Sequence, residues 1–316
     1  MDELSKEEIK DLLPTSSRGY FDDMTTERVL GASNHIRMIG NIFKELVDRE
    51  PMEAAIEKME KVSRFFNRTR GKSSYAIHTF LIDFDNFLNS VDRSSQDSFN
   101  KQIHTQIDGF DARVAQKVRK LIDYAILDSV HYQNIMLYDY SSTVNKFVTS
   151  LPRQVDVFIP ESRLLNVGYP FVHDVVKAGH RVHFLADASM ETVMQQMDAV
   201  YIGVETFYFD GTAFNTAGSD IAAILAQYHG VPYYALTLLS KFDPRSIKGI
   251  YKEVIPKDME RLLSSDWNDQ DLPKDVNFMA EELVGIPGKL IHRYITEKGI
   301  FLPSHLPHLL NYSLED

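Results

Sequence analysis

Residues 198–232 read DAVYIGVETFYFDGTAFNTAGSDIAAILAQYHGVP, and the order of chemistries along them decides the fold. Ala199-Val200-Tyr201-Ile202 is short and apolar enough for a buried strand, and it ends close to a carboxylate, Glu205. Phe209-Asp210-Gly211-Thr212 supplies a turn, because Asp-Gly tolerates the positive φ of a tight hairpin. Asn215, Thr216 and Gly218 then lead into a helix that begins around Ile221-Ala222-Ala223. In open α/β sheets, ligands bind where strand carboxyl ends face helix N-termini. The free N–H groups of such a helix start favour an anion such as a phosphate. The stretch therefore predicts one wall of a ligand site.

The same alternation extends outward from about residue 134. The runs Ile135-Met136-Leu137-Tyr138, Val155-Asp156-Val157-Phe158-Ile159, Val182-His183-Phe184-Leu185 and Tyr233-Tyr234-Ala235-Leu236 read as strands. Helical stretches near 142–149, 169–178, 190–196 and 219–228 lie among them. This spacing predicts an α/β domain with a parallel sheet and helices on both faces. Gly179 and Gly230 stand where helices should stop. Before residue 133 the pattern is helical. Ile36, Ile39, Ile42, Phe43 and Leu46 share one helix face, and further helices are expected at about 52–66, 75–91 and 112–126. The expected organisation is a helical N-terminal domain over 1–132 and the sheet domain over 133–316. Near the C-terminus, 264–274 reads as a loop and 290–295 as a last helix.

At 316 residues and 44% hydrophobic, the chain is long and apolar enough for two domains with sizeable cores. Its net charge of −11 speaks against direct nucleic-acid binding, which needs a basic surface, but leaves room for a small basic pocket. Cysteine is absent, which excludes disulfides, thiolate nucleophiles and Cys-ligated metals. No apolar run reaches the roughly 20 residues of a membrane span. The N-terminal MDELSKEEIKDLL is too acidic and polar for a signal peptide, so a cytoplasmic protein is expected.

Several tempting motifs reduce to plainer readings. Arg70-Gly71-Lys72-Ser73 lacks the glycine of a phosphate loop, since Phe66 stands in its place. A helix-connecting loop is the better reading, and Arg70 can still contact an anion. The eleven histidines show no ligand spacing, and no Gly-rich dinucleotide fingerprint is present, so no metal or cofactor is expected. His180 and His183 read as structural and His229 as surface. Pro160-Glu161-Ser162-Arg163 is either a turn with an exposed ion pair or a device aiming Arg163 into the crevice, and its place at a strand end favours the second. Asp139, Asp187 and Glu205 end three strands. Such carboxylates can divide acid and base roles by mutual repulsion, hold sugar hydroxyls or cap helices.

These elements, taken in order, resemble one family. It contains methylthioribose-1-phosphate isomerase, ribose-1,5-bisphosphate isomerase and the α, β and δ regulatory subunits of translation initiation factor 2B. Gly31-Ala32-Ser33 and Thr69-Arg70 are similar to its N-terminal elements. Ile135 to Ser142 resembles its Ile-Leu-Thr-His-x-x-Ser strand, and Glu161-Ser162-Arg163 with Gly168 its Glu-Ser/Thr-Arg-Pro element. Leu185-Ala186-Asp187-Ala188, the strand leading to Glu205, Asn215-Thr216-Ala217-Gly218-Ser219 and Ile295-Thr296-Glu297-Lys298-Gly299 also match. The resemblance implies a Rossmann-like second domain, a homodimer, and a pocket for a phosphorylated sugar or nucleotide near the domain junction.

The family's isomerases use a Cys and an Asp where this chain has Asp139 and Glu205. The family Lys after the Asn is Thr216, and the Arg before Gly-Ala is Leu30. As an isomerase, the chain would use Asp139 as base and Glu205 as acid. Asn215 would orient a sugar oxygen, Arg70 and Arg163 would hold phosphate, and Thr216, Gly218 and Lys241 would complete the binding site. The alternative is a non-catalytic regulatory protein like the initiation-factor subunits, which also lack the Cys. An enzyme for a different sugar is a third reading.

Overall fold

A computed structural model describes residues 4–308, apart from 27, 30, 253, 255 and 268–274. Leu30 and most of the expected loop at 264–274 lie outside the described residues. The chain divides into two compact units, Met1–Gln116 and Lys117–Asp316.

The first unit is helical among its described residues. It contains α1 (Lys6–Leu12), α2 (Arg18–Thr25), α3 (Ala32–Arg49), α4 (Met52–Ser73), α5 (Tyr75–Ser90) and the first part of α6 (Gln96–Asp128). The periodic face read on α3 is its buried face, with Ile39, Ile42, Phe43 and Leu46 all fully buried. Phe43 stacks on Phe84 of α5, ring centroids 4.5 Å apart. Arg70-Gly71-Lys72-Ser73 is the last turn of α4 rather than a loop. Cations there suit the negative end of the helix dipole.

The second unit holds a seven-stranded sheet of order β12-β11-β7-β4-β1-β2-β3. Its strands are β1 (Asn134–Tyr138), β2 (Asp156–Pro160), β3 (Arg181–Leu185), β4 (Ala199–Gly203), β7 (Tyr233–Leu236), β11 (Arg293–Thr296) and β12 (Gly299–Phe301). Every pair is parallel except β11 with β12. β1 and β4 are continuous apolar runs because both their faces are buried. The helices α7 (Ser142–Thr149), α8 (Tyr169–Lys177), α9 (Met190–Met194) and α10 (Ser219–His229) connect these strands. A hairpin of β5 (Thr206–Phe207) and β6 (Ala213–Thr216) turns at Gly211, whose φ is 80°. β8 (Lys257–Asp258) pairs with β9 (Met279–Ala280), and β6 also pairs with β10 (Leu283–Ile286), opposing Asn215 to Val284. The fold is thus mixed α/β, with a helical N-terminal part and a mostly parallel sheet.

Residues 290–295 do not form a helix. Gly288–Leu290 makes a short 3-10 turn and Arg293–Thr296 becomes a strand. Six apolar-rich residues are too few for periodicity to separate the two, and the aromatic and β-branched Tyr294-Ile295-Thr296 favours the strand. His229 lies half-buried at the surface, bonded to Glu191 at 3.0 Å. His180 bridges structure, sitting 2.8 Å from the Val148 carbonyl. Among the described residues no helix is long and apolar enough to cross a membrane.

Candidate functional site

The chain runs from β1 outward to β2 and β3, then returns to place β4 on β1's other side, with β7 and β11 beyond. The direction of winding therefore reverses between β1 and β4. A crevice opens at this point in doubly wound sheets, outside the strand carboxyl ends. Tyr138 pairs with Ile202 across this junction. Asp139 follows β1 directly and Glu205 lies two residues past β4.

Asp139 is buried and has a φ of 59°, a left-handed backbone that is unusual without glycine. Its carboxyl is pushed up to about 7. Burial is the main cause and the negative charge of Glu205 adds to it, against hydrogen bonds from the Thr216 hydroxyl, the Tyr140 N–H and the Asn215 amide. Asn215 is held in turn by donating to Ser219 Oγ at 3.0 Å. Asp139, Asn215 and Thr216 thus form one buried polar cluster, with the charge of Glu205 acting on it.

Glu205 is half-buried, and its N–H donates to the Phe214 carbonyl at 2.8 Å. Lys241 reaches the same place. Its ammonium donates to the Val204 carbonyl at 2.6 Å, and its own carbonyl accepts from Thr206 Oγ1 at 3.0 Å. Burial pushes the Lys241 ammonium down, while Glu205 pulls it the other way. Lys252 behaves alike, lowered by burial and opposed by the charges of Glu205 and Glu282. No sequence signal marks Lys252, since it sits in a stretch without periodic pattern.

Asp187 serves the backbone. Its two oxygens accept from the N–H groups of Ser162 at 2.9 Å and Arg163 at 2.8 Å, holding a turn in which Ser162 has a φ of 50°. The Arg163 guanidinium pairs with Asp266 at 2.7 Å, as the exposed ion pair of the plainer reading. Arg70 belongs to the helical unit, where its guanidinium donates to the Met24 carbonyl.

Gly218 caps α10 with φ 99°, and its N–H donates to Asp220 Oδ1 at 3.1 Å. Tyr138, the last residue of β1, lies against it. A methyl group added at Gly218 would stand 1.8 Å from the Tyr138 hydroxyl. No local sequence pattern marks this role for Tyr138, because β1 and α10 meet only across the fold.

A buried strand-end acid, with a second carboxylate and two lysines whose charges act near it, at a winding reversal defines a doubly wound α/β protein with a polar cluster at its switch point. The chain belongs to the initiation factor 2 subunit family, whose model matches residues 34–303. It is similar to a methylthioribose-1-phosphate isomerase of Heliobacterium modesticaldum, 26% identical over 50% of this chain and 46% of that protein. It is similar too to a ribose 1,5-bisphosphate isomerase of Methanocaldococcus jannaschii, 24% identical over 48% of each chain. The matched stretch thus spans about half the length of these relatives. Among solved structures, the 5-methylthioribose 1-phosphate isomerase of Pyrococcus horikoshii superposes with a TM-score of 0.78 at 19% identity, covering 97% of this chain and 92% of that one. A translation initiation factor eIF-2B from the same organism gives 0.69 at 19% identity, covering 92% and 98%. These two likenesses establish the fold.

Proposed function

We propose that the chain is a sugar-phosphate-binding protein that interconverts an aldose and a ketose by proton transfer between neighbouring carbons. The observation that carries the reading is Asp139, a strand-end carboxyl tuned to about 7 with the charge of Glu205 acting on it. A general base works best when its pKa lies near the operating pH. In this reading Asp139 takes the proton from the substrate's second carbon and returns it to the first. Glu205 handles the protons on the oxygens. Asn215 and Thr216 hold Asp139 and a sugar hydroxyl, and Lys241 supplies positive charge for the phosphate. The names of the relatives support this class of substrate.

The test is turnover of a ribose 1-phosphate derivative by the wild type, Asp139→Asn and Glu205→Gln. Each substitution should lower kcat by roughly a hundredfold or more. Full activity in either variant removes that residue from the mechanism.

A second reading, a regulatory protein without turnover, is favoured by one observation. The Asp139 carboxylate is already engaged by Thr216, Asn215 and Tyr140. Calorimetry that finds tight binding of the same compound, with no product formed over hours, selects this reading.

A further inference from the structure

The start of α10 is the obvious place for a phosphate, because the N–H groups and dipole of a helix N-terminus attract anions. Several features close it in this chain. The Gly218 N–H is taken by the Asp220 carboxylate at 3.1 Å. The Tyr138 hydroxyl donates to the Ala217 carbonyl at 3.3 Å and lies on the Gly218 α-carbon, in the space a ligand oxygen would need. The Ser219 side chain is engaged by Asn215 at 3.0 Å, and the Ser219 carbonyl accepts from Tyr233 at 2.8 Å.

The charges agree with the geometry. Asp139, Asp187 and Asp220 all lie close enough to act on the Tyr138 hydroxyl, with the buried Ser162 hydroxyl beside it. Two basic side chains, Lys241 and Lys252, lie within reach of the charge of Glu205 instead. The Arg163 guanidinium is turned to Asp266. An oxyanion at Gly218 would meet nearby carboxylates, with the Gly218 N–H already taken and the Tyr138 hydroxyl in its space.

We propose that Tyr138 is a specificity-determining residue that shuts the N-terminus of α10 to anions. A sugar phosphate in the crevice then turns its reacting carbons and hydroxyls to Asp139 and Asn215. Its anionic group lies toward Lys241 and Lys252. The orientation of the ligand rests on the sugar-phosphate reading above, whereas the closure itself does not.

The experiment labels glycine with a nitrogen isotope and follows the Gly218 amide signal by NMR while inorganic phosphate is added. In the full-length wild type the signal should stay in place. In Tyr138→Ser, which opens the space, it should move, with phosphate bound at least about tenfold more tightly than by the wild type. Tyr138→Phe keeps the ring and the core packing and removes only the hydroxyl. It should move the signal in the same direction and serves if the serine variant does not fold. A Gly218 signal that moves in the wild type overturns the proposal. So does a signal that stays fixed in every folded variant. If the wild type also fails to bind a ribose 1-phosphate derivative while the variants respond as expected, the sugar-phosphate reading falls and the closure stands.

Discussion

Asp139 combines two physical costs at one position. Its backbone is left-handed without glycine, and its carboxyl is buried deeply enough to titrate near 7. Strain and a displaced pKa at one residue mark a candidate for chemistry, and they cost stability. The expense has a definite pH dependence. The folded-state pKa lies above the unfolded one, so the native state holds a proton that the unfolded chain gives up between about 4 and 7. The stabilisation from the neutral acid is complete below about 4 and is lost as pH rises through 7. Shifting the value from 3.8 to about 7 corresponds to about 4 kcal/mol at pH 8. Asp139→Asn removes the ionisation and keeps an acceptor for Thr216. It should raise stability at pH 8 by a few kcal/mol and leave it nearly unchanged at pH 4. Urea unfolding at the two pH values measures this. Equal effects at both would mean the carboxyl titrates in its ordinary range. Under the isomerase reading, the wild-type kcat/KM should rise with pH up to a limb near 7.

At the scale of elements, α10 depends on its two ends. Both Gly218 and Gly230 are left-handed, but only Gly218 has a neighbour where a side chain would go. Gly218→Ala meets strained backbone and the Tyr138 hydroxyl together, and should cost roughly 2–4 kcal/mol. Gly230→Ala meets only the backbone penalty, about 1–2 kcal/mol. Denaturant titrations of both variants test the pair, and equal losses would mean Tyr138 moves aside without resistance.

The same elements show what sequence can reveal. The ends of β1 and β4 were legible because each is an apolar run that halts at an acid within a few residues. α10 was legible from Gly218, its apolar run and Gly230. What escaped was every feature made by approach across the fold. Tyr138 gains its role only where β1 meets Gly218, 80 positions along the chain. Lys252 gains its place only from the loop that carries it back beside Glu205. Arg163 looked aimed into the crevice because the local turn permits it, while Asp266, far along the chain, claims its guanidinium. β11 escaped for a local reason, since a six-residue apolar run carries too few turns for its period to show.

At the scale of the whole molecule, the buried residues fall into separate cores. One gathers buried residues from Ile9 to Ile107, and another on the sheet gathers residues from Met136 to Leu306. A unit with its own core can fold by itself, so we expect the two units to unfold in separable steps. The chain offers a natural probe for the distinction. Its single tryptophan, Trp267, lies in the second unit with its ring 5.8 Å from that of Phe278. Tryptophan fluorescence therefore reports the second unit, while far-ultraviolet circular dichroism is weighted toward the helices of the first. Phe43 is fully buried in the first core and stacked on Phe84. Phe43→Ala should remove about 3–5 kcal/mol from that core. The dichroism transition should shift to lower urea while the Trp267 transition stays in place, and binding at the Asp139 crevice should be unaffected. If both probes shift together by the same amount, the two cores unfold as one cooperative block, and the helical unit contributes directly to the stability of the site.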